Sequence, residues 1–448
     1  MNNKLDVDRH HIGLFNIDGK QFQGEIVYNE KNGVILLCIR FEFNIDDFDK
    51  WTRLPKKYKT ITGKLTNGIV VNLYNPTCIE NHLYGFRYRE LQYKVKYMIW
   101  SNVELINPKF NKLTCEIENG LKWSGLTVID LNKLPNFLLK EGESKAFFWH
   151  NAQITLSTGI NNELKKIPRK EVCEITERLM ISIESNEKKD VTFFTDVRDK
   201  ILSMISFAIR DNLNVIKQYL TEYDDFDFFE ELENKQEHLL IESEPVHNIY
   251  DNQYLSYNFF LDDLPQNNPQ LPDYLEKLAP VFNLYLSLFK YPNMPVEMIF
   301  LNIVQALETF HSRFFYHDDK KEYVQSVEER FEKDSLCHKL LPSDTQMNKN
   351  CNYIILVSRL NDLLIRGKDD LFKNYYQKDY AQKIADTRHY YTHYGERKKD
   401  KALKGDALRN AIQILRLLLE YHVCAVLNID ISKRVARDLR DYSLIECE

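Results

Sequence analysis

The stretch VEMIFLNIVQALETFHSRFF, residues 296–315, decides the fold class of the C-terminal part of this chain. Its apolar side chains recur every three or four residues, at Ile299, Ile303, Leu307, Phe310 and Phe314. That spacing places them on one side of an α-helix, where they can pack against a neighbouring element. A second run of the same kind, GDALRNAIQILRLLLEYHVCAVL, covers residues 405–427. Long helices that each need a partner predict an all-α bundle from about residue 270 onward.

The first two hundred residues follow a period of two. Between residues 91 and 99, one set of side chains alternates with Gln92, Lys94, Lys96 and Met98, and that set is Leu91, Tyr93, Val95, Tyr97 and Ile99. Such alternation is typical of a strand with one buried face. Asn-Gly pairs, which favour tight turns, stand at 32–33, 67–68 and 119–120, and the last should join two strands, LTCEI and LKWSGL. We therefore expect an antiparallel sheet, arranged as a sandwich or a distorted barrel.

The domain boundary is predicted from a change in composition. Helical spacing appears in DVRDKILSMISFAIRDNLNVIKQYL, so one or two helices are expected near 195–235. The segment DDLPQNNPQLPD, residues 262–273, then concentrates Pro, Asn and Asp, which disfavour both helix interiors and sheet ladders. These observations predict a multidomain α+β protein, with a strand-rich antiparallel domain over 1–265 and an all-α domain over 270–448.

Composition limits the classes of function. The 448 residues carry a net charge of −6, which argues against a protein that coats nucleic acid through general basicity, so any RNA contact must be local. The eight cysteines form no C-x-x-C pair, and we expect no disulfide, no zinc and no cofactor. The N-terminus is charged where a signal peptide is apolar, and no apolar run approaches eighteen residues. We expect a cytoplasmic protein with no membrane segment.

The segment ADTRHYYTHYGERKKDK, residues 385–401, concentrates groups suited to phosphate chemistry. An arginine can hold a phosphate with two hydrogen bonds, a histidine can transfer protons near neutral pH, and aromatic rings can stack on unpaired bases. The spacing of one arginine and one histidine carries little weight alone. Arg416 and His422 show a similar spacing inside the apolar run ILRLLLEYHVCAVL, where a packed or capping role is expected.

The sequence from Arg388 to His393, RHYYTH, resembles the R-[N/H/D]-x-x-x-H motif of HEPN ribonucleases, with His389 at the polar second position. The upstream helix carries QALE, residues 305–308. Together with the strand-rich region that precedes them, these features resemble the ApeA type of bacterial anti-phage HEPN protein. The resemblance covers about 270–448 by motif, and the N-terminal part only by general architecture.

The resemblance implies a fold and an activity. HEPN ribonucleases are antiparallel dimers of helical bundles whose two motifs meet in one cleft. They cut RNA through attack by the ribose 2′-OH, without a metal, and leave a 2′,3′-cyclic phosphate and a 5′-OH. The implied partners are RNA, with transfer RNA as one candidate, a second copy of the chain, and a phage-derived trigger. By analogy, the N-terminal domain would sense that trigger or restrain the nuclease.

Site roles follow from the resemblance. His393 would be the general acid or base, and Arg388 would stabilise the charge on the phosphorane while holding the phosphate. His389 would position the substrate or act as a second polar group. Glu308 would orient Arg388 or a histidine of the facing helix.

The flanking residues would bind RNA. Tyr390, Tyr391 and Tyr394 could stack on bases, although tyrosines at a helix end also serve as half-buried packing residues. The cations that could guide the RNA backbone, or form a solvated loop, are Arg397, Lys398 and Lys399, followed by Lys401 and Lys404.

The sequence also allows other interpretations of these residues. Arg388 could pair with Asp386 while His393 caps backbone carbonyls, which would be a purely structural arrangement. The bundle could also be a HEPN-like module that binds nucleotide, RNA or a protein without cutting. The sequence shows no paired-carboxylate signature that would support a carbohydrate-binding or hydrolytic N-terminal domain. As metal ligands, His311, His317 and His338 lack a convincing set of further donors.

Overall fold

The computed structural model shows two compact units. It describes residues 10–17, 19–29, 34–42, 57–84, 88–103, 105, 108–128, 143–167, 170–223, 235–243, 257–265, 268–291, 293–316, 321–323, 325, 354–367, 371–377 and 379–443. The first unit contains 1–122, 126–198 and 213–250, and the second contains 123–125, 199–212 and 251–448.

The first unit is built on one antiparallel sheet, to which the described residues contribute fourteen strands. In chain order these are β1 His10–Ile17, β2 Lys20–Asn29, β3 Val34–Glu42, β4 Thr60–Leu65, β5 Val70–Tyr74, β6 Thr77–Tyr84, β7 Tyr88–Val95, β8 Tyr97–Ser101, β9 Phe110–Ile117, β10 Lys145–Trp149, β11 Ala152–Ile167, β12 Lys170–Lys189, β13 Val215–Tyr223 and β14 Lys235–Glu242. Side by side, their order is β10-β11-β12-β9-β13-β14-β8-β5-β4-β1-β2-β3-β7-β6. The predicted antiparallel sheet is confirmed.

A bend at Lys96 lets one segment occupy two places in this sheet. β7 pairs with β3 and β6, whereas β8 pairs with β5 and β14. Since β5, β4, β1, β2 and β3 lie between them in the order, the bent segment closes these strands into a ring, which favours the distorted barrel over the sandwich. The predicted alternation stops at the bend, because Tyr97, Met98 and Ile99 are all buried.

The ring of strands encloses an apolar core. Phe15 is fully buried at its centre, and a side-chain carbon at Gly63 would come within 2.4 Å of the Phe15 ring, so only glycine fits there. Burial of each large apolar side chain is worth about 1.5–3 kcal/mol. The strand residues that share this core include Ile26, Ile35, Leu37, Ile39, Ile61, Val71, Leu73, Leu91, Tyr93 and Val95.

The second unit is helical, as its apolar periodicity predicts. The α-helices of the described chain are α1 Leu121–Ser124, α2 Val191–Ile209, α3 Leu271–Lys290, α4 Val296–Phe314, α5 Leu356–Ile365, α6 Lys373–Gln377, α7 Tyr380–His393, α8 Gly405–Val426 and α9 Ser432–Ser443. Helix α4 packs against α3, α5, α7 and α8. Its predicted stripe faces this core, since Ile303, Leu307 and Phe310 are fully buried.

Two local predictions were wrong in part, although the helix expected near 195–235 is present as α2. At the Asn-Gly pair 119–120, Asn119 lies in the left-handed region (φ 73°), but LKWSGL begins as α1 and not as a strand, and Trp123 of α1 is buried. Helix α2 ends before Arg210, whose φ of 56° is a left-handed helix stop. The following NVIKQYL, read as helix, lies mainly in β13, where its β-branched and aromatic residues pair with β9 and β14. Residues 224–234 lie outside the described chain.

A buried carboxylate, Glu420 on α8, is the polar centre of the helical unit. It accepts hydrogen bonds from Arg210, from the Tyr285 hydroxyl of α3 at 2.6 Å, and from Arg434 of α9 at 3.0 Å. Arg416, one turn earlier on α8, lies 3.6 Å away. Burial alone would raise the pKa of Glu420, but the three arginines outweigh it and lower the pKa to about 2. Glu420 therefore stays ionised inside the fold.

We predict that Glu420→Gln destabilises the helical unit by about 3–5 kcal/mol, because it leaves buried guanidinium groups without their counter-charge. Denaturant unfolding, followed by circular dichroism, measures the effect. The matched control is Glu276→Gln, since the pair of Glu276 with Lys200 at 3.0 Å is partly exposed and should be worth about 1 kcal/mol or less. Equal losses in both variants would contradict the assigned role of Glu420.

Candidate active site

Helix α7 carries the arginine-histidine motif and ends at its last residue, His393. Tyr394 follows with φ 47°, in the left-handed region, and its backbone N–H donates to the Tyr390 carbonyl at 2.6 Å. Arg388 precedes His393 by five residues, so the two side chains leave the helix about 140° apart and about 7.5 Å apart along its axis. His389 and His393, one turn apart, lie on the same side.

The motif side chains are accessible. His389 and His393 are exposed, with ring centroids 4.9 Å apart, and Arg388 is half-buried. Among the described residues, these three side chains have no hydrogen bond and no ion pair. Arg388 does not pair with Asp386, so a purely structural role of Arg388 as the partner of Asp386 is not supported. The three groups are available to a ligand.

Asp386 instead binds the loop that follows α7. Its Oδ1 accepts from Lys398 Nζ at 2.5 Å and from Gln382 Nε2 at 3.1 Å. The Leu403 N–H donates to Thr387 Oγ1 at 3.0 Å, and the Tyr391 hydroxyl donates to the Leu403 carbonyl at 3.0 Å. The segment 394–404 is thereby folded back on α7. This pairing was not predictable from the sequence, because both partners belong to a highly charged stretch.

The predicted RNA-binding cations differ in their surroundings. Lys398 is engaged with Asp386, whereas Arg397 is exposed and has no ion pair among the described residues. Lys399 lies 3.3 Å from Glu396, and both side chains are largely exposed. An exposed pair of this kind is weak and can be replaced by a phosphate. Arg397 and Lys399 are therefore the more available cations.

The three tyrosines form one cluster, with ring centroids 5.1 to 6.3 Å apart. Tyr391 faces inward, against Phe300 of α4, and burial raises its pKa. Lys404 Nζ lies 5.8 Å from the centre of the Tyr390 ring. Tyr394 is 65% exposed, so its ring is the one that a base could reach most easily. Tyr391 has the surroundings of a packing residue.

Glu308 lies away from this end of α7. The motif helix meets α4 where Tyr391 touches Phe300, and Glu308 is eight residues further along α4, about 12 Å by the rise of a helix. Burial lowers the pKa of Arg359 on α5, and the charge of Glu308 opposes that shift. The structure thus brings Glu308 into electrostatic contact with Arg359, and it shows no contact with Arg388.

His311 and His422, the other described histidines of the bundle, have internal partners. His311 Nε2 lies 2.9 Å from Asp362 Oδ2, and His422 Nε2 donates to the Leu363 carbonyl at 2.8 Å. Both rings are buried, so His422 has the packed role expected for it. His317 and His338 lie outside the described residues. Within the described chain, no group of three or more His, Cys, Asp or Glu could hold a metal, and no helix is long and apolar enough to span a membrane.

Two family models match the chain. The model for ApeA N-terminal domain 1 matches residues 10–277, more than half of the 448 residues. The model for Apea-like HEPN matches residues 301–431, which include Glu308, α7 and the basic loop after it. Neither the curated proteins nor the solved structures contain a match to the chain.

We predict that the helical unit loses stability between pH 6.5 and pH 4. Burial lowers the pKa of His422 to about 4, so the folded state holds this ring neutral while the unfolded chain takes up a proton below about 6.5. His422 alone should account for about 3 kcal/mol of the loss, at about 1.4 kcal/mol per pH unit. Denaturant unfolding at several pH values measures it. In His422→Gln the slope should be shallower, and an unchanged slope would contradict the assignment.

We also predict that the pair of Asp386 and Lys398 fixes the loop after α7. Lys398→Ala should lower the free energy of unfolding by about 1–2 kcal/mol, because it leaves a buried carboxylate without its cation. A double-mutant cycle with Asp386→Asn measures the coupling. The neighbouring variant Lys399→Ala is the control, and it should cost almost nothing, because the pair of Lys399 with Glu396 is exposed. A loss as large in Lys399→Ala would count against the pairing.

Proposed function

This chain belongs to the ApeA-like HEPN family, and on that premise we propose that its helical unit is a metal-independent endoribonuclease of anti-phage defence. The observation that carries the proposal is the state of the motif. Arg388, His389 and His393 occupy the accessible end of α7 and have no internal partners among the described residues. An accessible arginine without an internal partner can hold a phosphate with two hydrogen bonds, and accessible imidazoles beside it can transfer protons to and from an RNA substrate.

The proposed reaction is a transesterification. The ribose 2′-oxygen gives up its proton to a general base and attacks the adjacent phosphorus, and the bond from phosphorus to the 5′-oxygen breaks. The leaving 5′-oxygen takes a proton from a general acid. The products are a 2′,3′-cyclic phosphate and a 5′-OH. His393 transfers one of these protons, and Arg388 stabilises the charge that develops on the phosphorane.

The geometry of α7 supports a site completed by a second copy. The reaction needs a base, an acid and a cation around one phosphate. Within one helix, however, Arg388 and His393 point about 140° apart. In a homodimer whose motifs face each other, Arg388 of one protomer and His393 of its partner could approach the same phosphate. His389 then positions the substrate beside His393. Glu308 acts at most indirectly, through Arg359.

We propose that RNA binds along the loop that follows α7. Tyr394 stacks on an unpaired base, and Arg397 and Lys399 contact the backbone. Tyr390 and Tyr391 support Tyr394 from behind, and Lys398 holds the loop. Transfer RNA is a candidate substrate in the cytoplasm, because its loops present unpaired bases. The strand-rich domain 1–265 would sense a phage-derived trigger and regulate the helical domain 270–448.

We predict that the purified full-length chain cleaves RNA in the presence of EDTA. Arg388→Ala and His393→Ala should each reduce the rate at least about 100-fold, since each removes a group that acts in the transition state. End-labelled transfer RNA and total bacterial RNA are the substrates, and the termini of the products are identified. Cyclic-phosphate and 5′-OH ends are expected.

The controls remove the same side-chain types elsewhere. Arg313→Ala and His150→Ala change exposed residues outside the site, and they should cleave like the wild type. Equal activity in all five proteins would refute the assignment of Arg388 and His393. Binding of RNA without cleavage, with and without phage lysate as trigger, would instead favour a non-catalytic binding module.

A further inference from the structure

The proposed nuclease reaction requires only a polar side chain at the position of His389, beside the proton-transfer group His393. One proton-transfer group and one polar neighbour would suffice, yet two imidazoles stand one turn apart on the same exposed side of α7. Their ring centroids are 4.9 Å apart. Neither ring has a hydrogen bond among the described residues. Two unengaged imidazoles at this spacing are potential ligands of one metal ion.

The ring separation suits chelation. A nitrogen of histidine binds zinc at about 2.1 Å, which places the ring centroid about 3.2 Å from the metal. Two centroids 4.9 Å apart would then subtend an angle of about 100° at the ion. That value is close to the tetrahedral angle of zinc sites. Both side chains are exposed, so their rings have room to turn toward a shared ion.

We propose that His389 and His393 together bind a divalent transition-metal ion such as Zn²⁺, and that this ion inhibits the enzyme. Imidazole nitrogens favour zinc, copper and nickel, whereas magnesium prefers oxygen ligands, so the site discriminates between these ions. Two protein ligands leave positions for water. Binding should therefore be weaker and more readily reversed than in a structural site with four protein ligands.

Inhibition follows from the lone pair. A neutral imidazole accepts a proton through the same unprotonated nitrogen that binds a metal. While the ion is bound, that nitrogen of His393 has no free lone pair. It cannot take a proton from the 2′-OH, and it cannot carry a proton to the leaving 5′-oxygen. The metal binding is independent of the proposed function, but the inhibition rests on it.

The binding is tested without RNA. Metal-free full-length protein is titrated with Zn²⁺ in competition with a chromophoric chelator, and wild type is compared with His389→Asn, His393→Asn and His150→Asn. Both site variants should lose one zinc equivalent or bind it at least about tenfold more weakly, because each retains one ligand of the pair. His150→Asn removes an exposed histidine outside the pair and should match the wild type. Unchanged zinc binding in both site variants overturns the proposal.

A second measurement tests the inhibition. RNA cleavage by the wild type is followed while Zn²⁺ is raised through the concentration that fills the site, and EDTA is then added. The rate should fall as the site fills and recover with EDTA. Full activity with the site occupied overturns the inhibitory role. If the protein cleaves no RNA even in EDTA, the proposed nuclease fails, and the zinc titration still decides whether the metal site exists.

Discussion

The helical unit depends on the charge of Glu420. This carboxylate is fully buried, and it binds Arg210, Tyr285 of α3 and Arg434 of α9 from its place on α8. A buried carboxylate is costly unless its partners compensate for lost water, so each of these contacts must be made for the unit to close. The geometry of several hydrogen bonds therefore fixes how α3, α8 and α9 meet, which apolar packing alone would leave looser.

The candidate site lies near the opposite end of α8, and a different interaction, the pair of Asp386 with Lys398, fixes its loop. Helix α7 stops at Tyr394 in a left-handed conformation, and the chain returns to α8 through a loop that Asp386 and Lys398 tie to the helix. Helix α8 begins at Gly405, about 22 Å along its axis from Glu420. The loop therefore joins the end of α7 to the end of α8 that is far from Glu420. The same tie has a chemical effect. Lys398 pairs with Asp386, the carboxylate nearest in sequence to Arg388, so Asp386 does not compete with a phosphate for that arginine.

Period and composition predicted much of this arrangement, because they record which faces are buried. The stripe of α4 and the alternation in β7 gave the helical bundle and the antiparallel sheet. Features that depend on distant partners were not predictable. The bend at Lys96, the strand Val215–Tyr223 and the pair of Asp386 with Lys398 arise from pairing with segments far along the chain or across a turn. The family motif predicted Arg388 and His393 as site residues, and their spacing on a helix already places them on different sides; the structure adds that α7 is continuous through both.

The described histidines of the helical unit fall into two groups, one buried and one exposed. His311 and His422 are buried packing groups with fixed hydrogen bonds, and burial lowers the pKa of each. His389 and His393 stand at an accessible helix end without such partners. A buried imidazole whose nitrogens are already hydrogen-bonded cannot reach a substrate or an ion, whereas an exposed one can. In the proposed reaction and in the proposed zinc site His393 uses the same free nitrogen, and its exposure leaves that nitrogen accessible to both. The proposed reactivity and the proposed inhibition therefore have one physical origin, the exposed nitrogen of His393.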